Sequence, residues 1–291
     1  MLSTPVRQAV VLMIFATSLV PLGDSAGKLL TLSGSSPFFI AWSRFALGAL
    51  VLLPFMGLKR VEFRLLLDWR VWLRACFIMG GITSILTALK TVPIADAFAA
   101  FFIGPILSYF LSAILLKEKI TLPRTLLLLV GFIGVLLVVK PGLGMKPGLG
   151  YALLAGCSYS LYLVTSRWLS DIARPRMMLM SQLMIGGLLL APLGITDIPD
   201  LTDVWTDFLI FGSALSSAIG NLFLLMAYRR IEASRLAPLI YLQLVAGTIF
   251  GFTIFGDVPD MISFAGLALL MLSGFGSFWL AGVGAKAQSK K

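Results

Sequence analysis

Gly104 and Pro105 stand in the middle of an apolar run from Ile94 to Leu116. Proline removes a backbone donor there, and its ring crowds the carbonyl of Phe101, so a helix kinks or opens at that point. The chemistry on offer is recognition rather than bond-making. Phe101 and Phe102 present ring faces beside the break, and Tyr241 and Gln243 bring a further ring and an amide from a later apolar run. Met79, Thr83, Ser158, Tyr162 and Asn221 add a polarizable thioether, hydroxyls, another ring and a second amide. Such groups suit a ligand with an apolar body and a neutral or zwitterionic head. No nucleophile has an activating neighbour, the chain has no histidine, and no carboxylates cluster within an apolar run. Neither catalysis, a metal site nor a cofactor is therefore expected.

The elements that must position these residues follow from composition. The chain has 291 residues, 59% of them hydrophobic and 12% charged, with a mean hydropathy of +0.99. A soluble chain carries about 25% charged residues, so this composition reads as an integral membrane protein with no separate soluble domain. A span needs about 20 mostly apolar residues. That rule predicts ten, centred on Leu19, Leu47, Gly80, Pro105, Val130, Ser158, Gly186, Ser216, Val245 and Leu270. Helices are expected throughout, because lipid-exposed backbone must satisfy its own hydrogen bonds and the alternation of barrel strands is absent. The first span is read as retained rather than as a signal peptide, since no small-residue cleavage site followed by polar sequence is present.

The net charge of +10 is a topology signal and not a nucleic-acid signal. With the N-terminus inside, 18 of the 23 Lys and Arg fall on the cytoplasmic side, including the cluster Lys59, Arg60, Arg64, Arg70 and Arg74. Lys28, Lys90, Lys140 and Lys146 fall outside, and Arg44 lies within a span. This bias predicts two cytoplasmic termini. Cys76 and Cys157 are expected to be buried as small apolar residues.

Sliding the chain along itself finds one ungapped register of 139 residues. It aligns Lys28 with Arg167, Gly48 with Gly187, Asp68 with Asp207, Gly81 with Gly220, Ala88 with Ala227, Lys90 with Arg229 and Glu118 with Asp257. Span one then matches span six, and so on to five with ten. Five being odd, the second half enters the membrane from the opposite side, which is the inverted repeat of secondary transporters. The expected fold is all-α, with ten transmembrane helices as two inverted five-helix repeats, residues 1–139 and 151–291, around a central cavity. Residues 140–150, KPGLGMKPGLG, form the linker.

Three segments carry a resemblance to a known family: SPFFIAWSRFALGALVLLP (36–54), ALKTVPIADAFAAFFIGPILSYFLSAILLKEKIT (88–121) and AYRRIEASRLAPLIYLQLVAGTIFGFTIFGD (227–257). The chain resembles the drug/metabolite transporter superfamily, in particular its EamA-type members, and among those the exporters of aromatic amino acids. The resemblance implies alternating access in the bacterial inner membrane and export of neutral, aromatic amino acids or similar amphipathic metabolites. A multidrug or other metabolite carrier of the same superfamily is the alternative, and an intramembrane lipid-modifying enzyme a more distant one. One departure is that the counterpart of Arg44 is Leu183, so any role of Arg44 is not duplicated.

The repeat places Gln243 at the level of Gly104 and Tyr241 opposite Phe102, so two inverted half-sites should meet near the midplane. An ordinary proline kink in a packed bundle is the alternative. Gly212, Ser216 and Gly220, four apart, read as a packing face. Asn221, and likewise Ser158 with Tyr159 and Tyr162, read either as packing or as substrate contacts. Arg44 either snorkels outward or pairs with Asp24 or Asp96. Asp24 and Lys28, four apart, suit a local bridge, and Asp197, Asp200, Asp203 and Asp207 suit a solvated outer loop. No cluster of cations is expected at the site, which disfavours sugar phosphates. The partners implied are the lipid bilayer and a small amphipathic solute, with the chain acting as a monomer.

Overall fold

The computed structural model describes residues 4–117, 121–140, 146–169, 172–199, 203–228 and 237–288. Among these residues there are eleven α-helices and no strand. They are α1 (Thr4–Leu32), α2 (Pro37–Leu52), α3 (Trp69–Leu89), α4 (Ile94–Phe101), α5 (Ile103–Leu115), α6 (Leu122–Val139), α7 (Pro147–Trp168), α8 (Pro175–Gly194), α9 (Val204–Tyr228), α10 (Leu242–Phe255) and α11 (Met261–Gln288). Short 3-10 turns occupy Arg60–Leu67 and Ala237–Tyr241. Glu118, Lys119, Asp200, Arg229, Arg230, Arg235, Lys290, Lys291 and linker residues 141–145 lie outside the described residues.

Local sequence sets the helix ends. Pro37, Pro147 and Pro175 stand at helix starts, where a missing N–H has no intrahelical partner to lose. Ser36 caps α2 by accepting from the Phe38 N–H, and Asp68 caps α3 by accepting from the Arg70 N–H. Asp203 caps α9 through the N–H groups of Trp205 and Thr206, as a solvated outer loop would. Gly256 ends α10 in the left-handed region at φ +68, a conformation that glycine adopts without strain.

Among the described residues, seven helical stretches are long and apolar enough to cross a membrane, with α4 and α5 counted together as Ile94–Leu115. Three shorter apolar stretches are Thr125–Val139, Leu239–Phe255 and Met261–Gly276. Each of the ten expected span centres falls within a helix. The exterior carries large apolar side chains such as Leu50, Phe55, Ile114, Leu122 and Phe252, a belt that would drive association in water but suits acyl chains. Neither cysteine is fully buried, contrary to expectation. Cys76 is exposed and Cys157 half-buried, because an outward face here meets lipid, which a small thiol tolerates as well as a core.

Helix α1 packs most closely on α9, α3 on α7, α2 on α8 and α6 on α11. Under the 139-residue register α1 becomes α7 and α3 becomes α9, so the first two contacts interchange, while the other two map onto themselves. Helices α6 and α11 cross at Gly134 and Gly266, where an added Cβ on either would come within 2.7 Å of the other's carbonyl oxygen. The small-residue face of α9 differs in part from the expected one. Gly220 does pack on α1 at Ala16, Leu19 and Val20, and Ser216 approaches Gly23 together with Ser213 and Ser217, whereas a Cβ added at Gly212 would meet nothing within 4 Å.

Candidate functional site

The apolar run from Ile94 opens at Phe102. This residue ends α4 and caps α5 with φ −68 and ψ −1, one residue beyond the carbonyl that Pro105 crowds. Pro105 thereby falls in the first turn of α5, where backbone N–H groups lack intrahelical acceptors in any case. In the second half the equivalent residue, Tyr241, ends a 3-10 turn and caps α10 with φ −65 and ψ −14. Residues 139 apart in sequence thus mark a change of helix geometry, from α4 to α5 at Phe102 and from a 3-10 turn to α10 at Tyr241, and the two residues touch. The rings of Phe102 and Tyr241 lie 4.9 Å apart.

That contact is one rung of a ladder of rings. Phe102 meets Phe101 edge-on at 6.3 Å, Phe101 meets Tyr159 at 4.9 Å, and Tyr159 stacks on Tyr162 at 5.6 Å. The guanidinium of Arg74 closes the series 4.5 Å above the Tyr162 ring. The ladder thus runs from α10 through the α4/α5 break to α7 and α3. Phe102 and Tyr241 are buried, while Phe101, Tyr159 and Tyr162 are half-buried. Gly104 explains how α5 comes so close to α7. A Cβ there would sit 2.7 Å from the Gly156 carbonyl oxygen, and one on Gly156 would sit 2.6 Å from the Phe101 oxygen.

The other expected site residues are placed as follows. Ser158 faces Gly80 and Gly81 across the α3/α7 crossing. Thr83 turns its hydroxyl back to the carbonyls of Met79 and Gly80, and Asn221 donates to the Ser217 carbonyl of its own helix at 2.8 Å. Met79 packs beside the apolar cluster of α2 and α8. Gln243 and Pro105 are half-buried at the heads of α10 and α5. Between the heads of α5 and α10 the contact on view is that of the Phe102 and Tyr241 rings.

One cation, though no cluster of them, stands beside Tyr162. Arg74, assigned by sequence to a solvated cytoplasmic cluster, is 4% exposed inside α3. Its Nη2 donates to the Tyr162 hydroxyl at 2.8 Å, its Nε to Ser166 Oγ at 2.7 Å and its Nη1 to the Met178 carbonyl at 2.9 Å. The Tyr162 hydroxyl in turn donates to Gln182 Oε1 at 3.0 Å. A signal for this was present in the sequence: Arg74 lies five residues inside α3 and is followed by the apolar run from Ala75 to Ile82, although the cations before it in the chain lie in the loop and first turn.

Two further ion pairs replace the expected local bridge between Asp24 and Lys28. Arg44 Nη1 reaches Asp24 Oδ1 at 2.5 Å, while its Nε and Nη2 donate to Ser213 Oγ and the Gly23 carbonyl. Lys28 Nζ pairs with Asp257 at 3.0 Å, donates to the Val92 carbonyl and lies 4.5 Å above the Phe255 ring. Each side chain on α1 is taken by the helix it faces, so neither is left for its neighbour one turn away. Outside the spans, hydrogen bonds from Arg174 hold the Glu62 carboxyl down at about 2. Lys140 does the same for Asp260, also to about 2.

A model of a family described as "EamA-like transporter family" matches residues 8–140 and again residues 146–279. The chain is 27% identical over 242 residues to a protein of Rickettsia conorii named as an S-adenosylmethionine uptake transporter, covering 80% of each chain. It is 28% identical over 246 residues to a riboflavin transporter of Vibrio cholerae, again covering 80% of each. To a riboflavin transporter of Brucella anthropi it is 27% identical over 208 residues, covering 68% of this chain and 72% of that one. A solved crystal structure shares the fold at a TM-score of 0.62 and 18% identity, over 97% of this chain and 99% of the other.

Proposed function

The chain belongs to the EamA-like transporter family, so it is a multi-pass membrane transporter and not an enzyme, and on that footing we propose that it carries small amphipathic metabolites bearing a planar ring. The observation that carries the reading is the ladder from Tyr241 through Phe102, Phe101 and Tyr159 to Tyr162, centred on two changes of helix geometry 139 residues apart. Interrupted helices at the interface of two inverted repeats suit a substrate site, and ring faces suit a planar solute. S-adenosylmethionine and riboflavin, named for the relatives, each contain a planar heteroaromatic ring. The aromatic amino acids expected from sequence are smaller members of the same chemical class.

In this reading residues 1–139 and 151–291 are the two repeats, ten helices span the bacterial inner membrane, both termini are cytoplasmic, and a monomer works by alternating access. The interchange of the α1/α9 and α3/α7 contacts under one register supports the repeat, as does the double match of the family model. Export follows from the resemblance in sequence, whereas the Rickettsia relative is named for uptake, so direction is measured rather than assumed. The test is transport of labelled tryptophan, phenylalanine, riboflavin and S-adenosylmethionine by the purified protein in sealed vesicles, loaded inside or outside, with and without a pH gradient. At least one ring-bearing solute should move, and other ring-bearing solutes should compete better than glutamate, lysine or a sugar phosphate. Better competition by those non-aromatic solutes would overturn the ring reading.

A further inference from the structure

The chain holds two equally buried arginines in different electrostatic settings. Arg44 and Arg74 are each 4% exposed. Arg44 has a carboxylate, Asp24, at 2.5 Å. Arg74 has none among the described residues. Its partners there are a tyrosine hydroxyl, a serine hydroxyl, a backbone carbonyl and the face of a tyrosine ring, all of them neutral. Burying a guanidinium without a counter-charge is unfavourable, and a cation placed only to set topology would be in water, as loop cations are. Arg70, one turn earlier, has its own carboxylate in Asp68.

We propose that Arg74 anchors an oxyanion of the transported solute, a carboxylate in the simplest case, while the ring of that solute lies along Phe101, Tyr159 and Tyr162. The assignment rests on the ring-solute reading given above and adds the charge of the substrate to it. Three of the five guanidinium N–H groups of Arg74 are engaged by these partners, which leaves two for an incoming oxyanion, and a guanidinium fork suits a planar carboxylate. Tyr162 and Ser166, which wall one side of Arg74, are only half-buried, so the approach lies from the ladder. The repeat counterpart of Arg74 is Ser213, which accepts from Arg44. The position of this cation is therefore neutral in its repeat counterpart, which gives the site one charged end, as an amphipathic solute requires.

The test uses the full chain in nanodiscs of neutral phosphatidylcholine, with 3-phenylpropionate, its uncharged amide and hexanoate as binding probes. Wild type should bind 3-phenylpropionate at least tenfold more tightly than the amide. Arg74→Gln should lose that preference whatever its affinity for the amide, and cooperative thermal unfolding in the nanodisc shows that the variant is folded. Arg74→Lys should keep part of the preference. Equal binding of acid and amide by wild type, or an unchanged preference in Arg74→Gln, overturns the anchor and leaves the ring reading standing. Hexanoate binding as tightly as 3-phenylpropionate, with its binding lost in Arg74→Gln, supports the anchor and removes the ring reading. If anionic phosphatidylglycerol in the nanodisc abolishes the Arg74-dependent preference, a lipid phosphate holds the guanidinium and the assignment to the solute is overturned.

Discussion

Asp24 and Arg44 make a buried pair whose energetics depend on both members being present. Ser213 and the Gly23 carbonyl occupy two further donors of the guanidinium, so the pair is a small closed network between α1, α2 and α9. Removing one member of a buried pair strands the other charge and costs about 3–5 kcal/mol, whereas replacing both by apolar residues of similar volume is often close to neutral. Asp24→Asn should therefore lower the melting temperature in detergent sharply, and Asp24→Leu combined with Arg44→Met should recover most of the loss. A double variant no more stable than the single one would show that the network is needed for more than charge balance. Little of this was legible beforehand. The spacing of Asp24 and Lys28 points to a bridge along one helix, and Arg44 allows several partners. Which helix face each residue presents is a tertiary property: Asp24, 20 residues from Arg44, was one of its expected partners, but Asp257 lies 229 residues from Lys28 and Ser213 lies 169 from Arg44. Arg74 was hidden for a related reason, since its neighbours in sequence are solvated cations and its neighbours in space are not.

At the scale of elements the sequence was far more informative, because a span in lipid must be helical and apolar over its whole length. The expected centres all fall in helices, and the Gly-Pro pair located the interruption to within three residues of Phe102. What the pair did not convey is which of its residues matters more for packing. Gly104 and Gly156 let α5 and α7 approach until an added Cβ would lie 2.6–2.7 Å from backbone oxygen, and backbone cannot swing aside as a flexible side chain can. Gly104→Ala and Gly156→Ala should each destabilise by about 1–3 kcal/mol. Gly80→Ala should be tolerated, since the nearest atom to its added Cβ is Ser158 Oγ at 3.7 Å. Pro105→Ala should also be mild and should not restore a straight helix, because the chain has already turned at Phe102 before Pro105 enters the first turn of α5. Thermal unfolding of the four variants in one detergent decides the order. If Gly80→Ala proved the most damaging, the α5/α7 crossing would not be the critical approach.

For the whole molecule, the repeat makes the ion pairs at one end informative. Lys28 near the end of α1 pairs with Asp257 just after α10, and Lys140 at the end of α6 pairs with Asp260 before α11. Both pairs gather helix ends on the side assigned to the exterior by the charge bias, and the first also holds the Val92 carbonyl through Lys28. Val92 is 2% exposed, so, with the orientation drawn from the charge bias, this contact would close the outer end in this conformation. A carrier that alternates must open it, and partly buried pairs that form in one state only bias the equilibrium by their differential stability. With Cys76 and Cys157 replaced by serine, a Val92→Cys variant should react slowly with a membrane-impermeant maleimide added outside intact cells. Adding Lys28→Ala or Asp257→Ala should raise the rate several-fold, and the charge exchange Lys28→Asp with Asp257→Lys should return it toward the starting value. Unchanged labelling across the set would mean that the pair does not hold this end closed. Labelling only from the cytoplasmic side would instead reverse the orientation drawn from the distribution of lysine and arginine.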